Sequence, residues 1–207
     1  AAAAESDGEI QIAAGVDKYN NGEKFPIFSD FYDINVKADI IIDFSNATLL
    51  DGLLDYAVKN NMPAVIATTG YDNAQIEKIK AAAKKIPVFF TFNMSVGVNL
   101  VASLAKKAAA VLGDSFDIEI VEAHHNQKID APSGTAIMLA NSVNSVFGDT
   151  LNYEYDRHSV RRKRPKNEIG IHSVRGGTIV GEHEVIFAGH DEVIKICHSA
   201  QSREVFA

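Results

Sequence analysis

Ala38-Asp39-Ile40-Ile41-Ile42-Asp43-Phe44 opens the stretch that decides the fold, residues 38–91. Its centre, Ile40-Ile41-Ile42, is a short unbroken apolar run, the pattern of a strand buried on both faces. Residues 46–60 carry Leu49, Leu50, Leu53, Leu54, Ala57 and Val58 at helical spacing. Residues 63–67 are a second short apolar run. Residues 72–84 read as a helix with Ile76, Ile79 and Ala83 inward and Glu77, Lys78, Lys80 and Lys84 outward. Asp72 and Gln75 have capping-box spacing at its start. Residues 87–91 form a third run, and upstream residues 9–16 alternate around Ile10, Ile12 and Ala14 as a strand does. Strands alternating with helices predict βαβ units, a parallel sheet and right-handed connections.

Beyond this stretch the pattern changes. Residues 96–112 predict a long helix with Leu100, Val101, Leu104, Ala105, Ala108 and Leu112 on one side. Residues 116–123 alternate, with Phe116, Ile118 and Ile120 against Asp117 and Glu119, which marks a sheet with one polar or partner-facing side. Residues 133–147 predict a helix. Strand-like runs follow at 169–174, 178–188 and 192–197, the last two joined by the turn Gly189-His190-Asp191. The reading is two domains, 1–94 on a parallel sheet and 95–207 on a mixed or antiparallel sheet.

Bulk composition narrows the function. The chain has 207 residues, 46% hydrophobic and 23% charged, as soluble globular proteins do. A net charge of -7 argues against a surface built for nucleic acid. The single cysteine, Cys197, excludes an internal disulfide and fits a reducing, cytoplasmic compartment. The longest apolar runs, such as 40–42 and 185–188, are too short to span a bilayer, so no membrane partner is expected. The opening Ala1-Ala2-Ala3-Ala4-Glu5 has no initiator Met and reads as the end of a helix stopped by Gly8. The natural chain is therefore expected to begin earlier and to run on past Ala207.

In open parallel sheets ligands bind beyond the carboxyl ends of the strands. Three such ends stand out. Asp17-Lys18 follows the first strand, where a dinucleotide fold places an acid for ribose hydroxyls; Lys18 suits a 2′-phosphate, and a solvated turn is the bland reading. Thr68-Thr69-Gly70 combines small residues and hydroxyls, which suits a flat ring, or simply leads into the next helix. Thr91-Phe92-Asn93-Met94-Ser95 suits a carboxamide, or a hinge.

The sharpest segment is Glu122-Ala123-His124-His125-Asn126-Gln127-Lys128-Ile129-Asp130-Ala131-Pro132-Ser133-Gly134-Thr135. Neighbouring strand residues face opposite ways, so His124 and His125 do not read as a metal pair. Either imidazole can supply a proton near neutral pH. Lys128 offers a positive charge to an acidic substrate. Ser133-Gly134-Thr135 opens a helix whose free N–H groups form an anion cradle. A capped helix after a polar loop explains the same residues blandly. Arg175-Gly176-Gly177 offers a second carboxylate contact, while His183, between two glutamates, reads as structural. The basic run Arg161-Arg162-Lys163-Arg164 with Lys166 reads as a loop that attracts an anionic ligand, or as a solvated loop, before it reads as a nucleic-acid patch.

The segment from Glu122 to Thr135 resembles the signature of the dihydrodipicolinate reductases, Glu-x-His-His-x-x-Lys-x-Asp-x-Pro-Ser-Gly-Thr. The likeness continues, in family order, through Asp43-Phe44-Ser45, Ala67-Thr68-Thr69-Gly70, Asn93-Met94-Ser95-Val96-Gly97-Val98-Asn99, Arg164-Pro165-Lys166, Gly170-Ile171-His172-Ser173-Val174-Arg175-Gly176-Gly177, Val180-Gly181-Glu182-His183 and Ser202-Arg203. The resemblance implies an α/β chain: a Rossmann-type parallel-sheet domain plus an α+β substrate and oligomerisation domain with an open mixed sheet, assembled as a homotetramer. It implies reduction of the small dicarboxylate 4-hydroxy-tetrahydrodipicolinate, in lysine and diaminopimelate biosynthesis, by NADH or NADPH. By position His124 is then the proton donor and Lys128 its partner. His125, Ser133, Gly134, Thr135 and Arg175 hold substrate, and no metal takes part. Asp17, Lys18, Phe44, Ala67, Thr68, Thr69, Thr91, Phe92, Asn93 and Met94 contact the cofactor. Three departures from the family pattern stand out: no Gly-x-x-Gly-x-Met-Gly loop, no C-terminal tail, and Ala67 where the family usually has Gly. Another reductase of a small dicarboxylate and a non-catalytic nucleotide-binding protein are the competing readings.

Overall fold

The computed structural model describes residues 8–20, 22–159 and 161–206; the alanine run at the start lies outside them. The chain divides into two units, Ala1–Phe92 and Asn93–Ala207.

In the first unit, β3 (Ile41–Asp43), β4 (Ala64–Ile66) and β5 (Val88–Phe90) form a three-stranded parallel sheet in the order β3-β4-β5. Helix α1 (Leu50–Lys59) joins β3 to β4, and α2 (Asn73–Ala82) joins β4 to β5. The α1 stripe buries Leu50, Leu53, Leu54 and Ala57. The capping box at α2 forms in both directions: Asp72 accepts from the Gln75 N–H at 2.7 Å, and the Gln75 side chain accepts from the Asp72 N–H at 3.0 Å. Along α2 the buried residues are Ile79 and Ala82, whereas Ala83, expected inside, is the exposed C-cap.

Two expectations in this unit change. Ile40 and Ile42 are 45% and 48% exposed, because among the described residues nothing covers the face of β3 on which they lie. The strand expected over residues 9–16 shrinks to β1 (Gly15–Val16), which pairs in parallel with β2 (Ile27–Phe28), a strand the sequence reading did not find. An alternating pattern supplies a face but not a neighbour, and Ile10 stays 46% exposed.

In the second unit, β6 (Asp117–His124), β7 (Asn152–Glu154), β8 (Glu168–Arg175), β9 (Gly181–Ala188) and β10 (Val193–Ala200) form one mixed sheet in the order β10-β9-β6-β8-β7. The β6–β8 and β7–β8 pairs are parallel; β6–β9 and β9–β10 are antiparallel. The short β7 escaped the sequence reading. Helices α3 (Val96–Leu112) and α4 (Gly134–Asn144) cover one face. They bury Val101, Ala105, Ala109, Ala136, Leu139 and Val143 against Ile118, Ile120, Ile169, Ile171, Val185 and Phe187. The α3 stripe is rotated from the expected one: Val98, Val101, Ala105 and Ala109 are buried, while Leu100 and Leu104 are 56% and 44% exposed. By length and composition α3 is apolar enough to cross a membrane, yet its inward stripe belongs to the core under this sheet.

Candidate active site

The site of interest in the second unit grows out of one strand. Along β6 every second residue is buried: Ile118, Ile120, Glu122 and His124. The core-facing row thus begins with two isoleucines and ends with two ionisable side chains. Period-2 alternation puts Glu122 on the isoleucine face, so its burial was readable from the sequence; its partners were not.

Those partners come from β6 itself and from two other elements. Arg175, ending β8, sends two guanidinium N–H groups to the two Glu122 oxygens at 2.7 and 2.8 Å. The backbone N–H of Ser133 donates to Glu122 Oε1 at 3.1 Å, and His124 Nδ1 lies 2.5 Å from Oε2. Burial works to raise the Glu122 carboxyl, but the hydrogen bonds from His124 and Arg175 outweigh it and hold the group well below the usual carboxylate range. Glu122 is therefore an anion with no exposed surface.

Ser133 caps α4, accepting from the Ala136 N–H at 3.2 Å. Its Oγ also lies 3.0 Å from His183 Nε2. The Ser133 oxygen that accepts from Ala136 keeps its own proton and a second lone pair for His183, so the direction of that bond follows the His183 tautomer. His183 is 2% exposed and packs edge-on against the His124 ring, with centroids 5.2 Å apart. Burial, reinforced by nearby His124, pushes His183 down to about 3. His183 is thus a buried neutral side chain that props the helix mouth, next to the histidine on which the chemistry reading rests.

The remaining expected residues take these places. Lys128 Nζ pairs with Asp130 at 2.8 Å, and its backbone N–H donates to the His125 carbonyl at 3.1 Å. His125 is half-buried just past the end of β6. Gly134 and Thr135 open α4, where the helix has no internal acceptor for their N–H groups. Thr135 Oγ1 accepts from Asn93 Nδ2 at 2.9 Å, and both residues belong to the second unit. Arg175 turns its guanidinium inward, to both Glu122 oxygens and, at 2.6 Å, to the Asp130 carbonyl. Ser133 is likewise committed through both its N–H and its hydroxyl.

The basic run meets acidic residues. Arg164 donates to Glu119, Asp117 and the carbonyls of Ile118 and Glu168 at 2.7–3.1 Å. Arg162 pairs with Glu154 and Lys166 with Asp117. Acidic residues on β6, β7 and β8 thus hold Arg162, Arg164 and Lys166 of the run against the sheet.

In the first unit Phe44, the segment Ala67-Thr68-Thr69, and Thr91-Phe92 follow the carboxyl ends of three adjacent parallel strands. Phe44 is 52% exposed and Thr69 is exposed. Ala67 and Thr68 are buried, and among the described residues no partner lies within hydrogen-bond geometry of the Thr68 hydroxyl. Asp17 and Lys18 are exposed after β1; Asp17 accepts from the Tyr19 N–H at 3.0 Å. Sequence reasoning gave no role to Asp43, yet it organises these turns. Buried at the end of β3, it accepts from the N–H and hydroxyl of Ser45 and, at 3.3 Å, from the Tyr71 hydroxyl. Burial and the Asp43 charge push Tyr71 up to about 12. Met94 is half-buried in the second unit.

Residues 1–94 match the sequence model described as dihydrodipicolinate reductase, N-terminus, and residues 97–207 match its C-terminus. The chain belongs to the dihydrodipicolinate reductase family. The reductase is 51% identical, over 203 residues, to a 4-hydroxy-tetrahydrodipicolinate reductase of Caldanaerobacter subterraneus subsp. tengcongensis, covering 98% of this chain and 80% of that one. It is 49% identical to the protein of the same name in Clostridium novyi, covering 96% of this chain and 79% of that one. Among solved structures it resembles the dipicolinate-bound dihydrodipicolinate reductase of Paenisporosarcina sp. TG-14. That likeness has a TM-score of 0.73 at 24% identity, covers 99% of this chain and 83% of the other, and supports the fold. The reductase is thus an oxidoreductase whose first unit is a Rossmann-type nucleotide-binding domain and whose second is the mixed-sheet domain.

Proposed function

We propose that this chain reduces 4-hydroxy-tetrahydrodipicolinate to tetrahydrodipicolinate with NADH or NADPH, in lysine and diaminopimelate biosynthesis. The observation that carries the reading is the buried Glu122–His124 pair, tied through Ser133 to the mouth of α4. A proton donor and a helix-terminal anion site belong to one hydrogen-bonded unit, as a dicarboxylate needing protonation requires. The dipicolinate held by the Paenisporosarcina relative is a ligand of this chemistry.

The first unit fits the nicotinamide end of the cofactor. The buried Thr68 hydroxyl suits a carboxamide edge, the small Ala67 allows close approach of a flat ring, and the exposed Asp17 carboxylate suits ribose hydroxyls. Phe44, Thr69, Thr91 and Phe92 belong to the same reading, Asn93 and Met94 are proposed cofactor contacts from the start of the second unit, and Lys18 allows NADPH beside NADH. The bound cofactor supplies a hydride. This chain's residues do the rest. The N–H groups of Gly134 and Thr135 hold one substrate carboxylate, with His125 beside them. Lys128 turns from Asp130 to the substrate and adds positive charge. The 4-hydroxyl leaves as water to give the conjugated dihydro ring; once hydride has reached that ring, His124 would give its Nε2 proton to the ring carbon that becomes nucleophilic, and solvent would restore it. The protein works in the cytoplasm as a homotetramer.

The test is His124→Ala, assayed by oxidation of NADH and of NADPH on substrate freshly made from aspartate semialdehyde and pyruvate. Turnover falls on the order of 10²–10⁴-fold while cofactor affinity is kept. A variant of near wild-type rate overturns the proton-donor role.

A further inference from the structure

We infer that Glu122 is a positioning residue for the reaction: it fixes which nitrogen of His124 carries the transferable proton and ties that histidine to the helix that receives the substrate. The inference rests on His124 being the proton donor, but it is tested separately.

The argument is one of donors and acceptors. Arg175 contributes only donors, and so does the Ser133 N–H. Together they place three N–H groups on the Glu122 oxygens, two on Oε1 and one on Oε2. The carboxyl is held in its ionised form, as its lowered titration range also indicates, and an ionised carboxylate can only accept. The fourth contact, His124 Nδ1 at 2.5 Å from Oε2, must then be an N–H. With Nδ1 permanently protonated, Nε2 is the atom that gains and loses the proton. The imidazolium carries N–H on both nitrogens; after transfer the Nε2–H bond is broken, a C–H bond is formed, and the neutral Nδ1–H ring remains. Glu122 itself takes no proton.

The rest of the packing agrees. A Cβ on Gly181 would lie 3.2 Å from His124 Nε2, so the missing side chain there leaves that nitrogen room. His183 closes one side of the ring, and its own Nε2 is occupied by Ser133. Ser133 completes the link. Its N–H holds Glu122 and its hydroxyl caps α4, so a shift of the carboxylate moves both the histidine and the helix mouth.

The experiment is ¹⁵N-detected NMR of the histidine rings, with steady-state kinetics, on the full chain. In the wild type at alkaline pH, neutral His124 is the Nδ1–H tautomer; finding Nε2–H instead refutes the inference with no variant needed. Glu122→Gln makes a sharper demand. Its single oxygen sits best at the Oε1 position, where it meets two donors, which leaves its NH₂ facing His124 Nδ1. The neutral ring then becomes Nε2–H, and the imidazolium meets a donor where it had an acceptor. The expected result is this reversal together with a kcat loss on the order of 10²-fold and KM changed only several-fold. Glu122→Asp restores the charge, so it keeps the Nδ1–H tautomer and recovers part of the rate, and it serves if the glutamine variant does not fold. An unchanged tautomer in a folded Glu122→Gln protein overturns the inference and leaves the His124 reading standing. An active His124→Ala protein fells that reading whatever the tautomer shows.

Discussion

Acid should loosen the second unit through His183, in a pH window that can be calculated. The ring is 2% exposed, its Nε2 lies 3.0 Å from the Ser133 hydroxyl, and burial with the neighbouring His124 lowers it from 6.5 to about 3. Its folded-state value is depressed, so below pH 6.5 the unfolded chain binds a proton that the folded chain refuses. The stability this group contributes is complete above pH 6.5 and is lost as pH falls toward 3. Each pH unit inside the window costs about 1.4 kcal/mol, so the fall from pH 6.5 to 4.5 removes roughly 3 kcal/mol. The Glu122 carboxyl is also depressed, but from a starting value of 4.5, so its contribution is lost only below that pH. The two ranges overlap only below pH 4.5, so Glu122 adds nothing to the slope between pH 6.5 and 4.5. The chain has no Trp, so urea unfolding is best followed by far-UV circular dichroism at half-unit steps from pH 7 to 4.5. In His183→Gln the carboxamide oxygen can still accept from Ser133 but cannot titrate. The variant should be less stable at pH 7 and should lack the acid slope that the wild type shows. Parallel stability curves for the two proteins would refute the claim that the buried neutral imidazole is the acid-sensitive part.

Two further outcomes are expected. Ser133→Ala removes the α4 cap and the His183 partner together, so urea unfolding should show a loss of about 1–3 kcal/mol, and dicarboxylate affinity should fall with it. Gly170→Ala would bring a Cβ to 1.8 Å from Glu119 Oε2 and 2.7 Å from Arg157 Nη2, forcing the carboxylate away from Arg157, Arg164 and His172. Thermal unfolding should show about 1–3 kcal/mol of destabilisation, against almost none for Gly176→Ala, whose added Cβ meets nothing within 4 Å.

The class of the fold was legible because helix and strand periods are local. The α1 stripe, the capping box at Asp72 and the alternation of β6 each depend only on residues a few positions apart. The exposure of the outer isoleucines of the Ile40-Ile41-Ile42 run was not legible, since it depends on what packs over each face of β3, which local sequence does not state. The orientation of α3 was misjudged for a similar reason. A helix apolar nearly all round does not declare which side faces the sheet.

The candidate site divides along the same line. His124, Lys128 and the mouth of α4 lie within 12 residues, and their spacing alone brought them forward as a group. The sequence also determined, by simple alternation, that Glu122 shares a face with Ile118 and Ile120. Only the tertiary structure decided that Arg175, 53 residues from Glu122, would pair with that carboxylate, and that His183, 50 residues from Ser133, would prop the helix cap. A side chain's type and period fix which way it points; the charge it meets there is set by strands that pair across long loops.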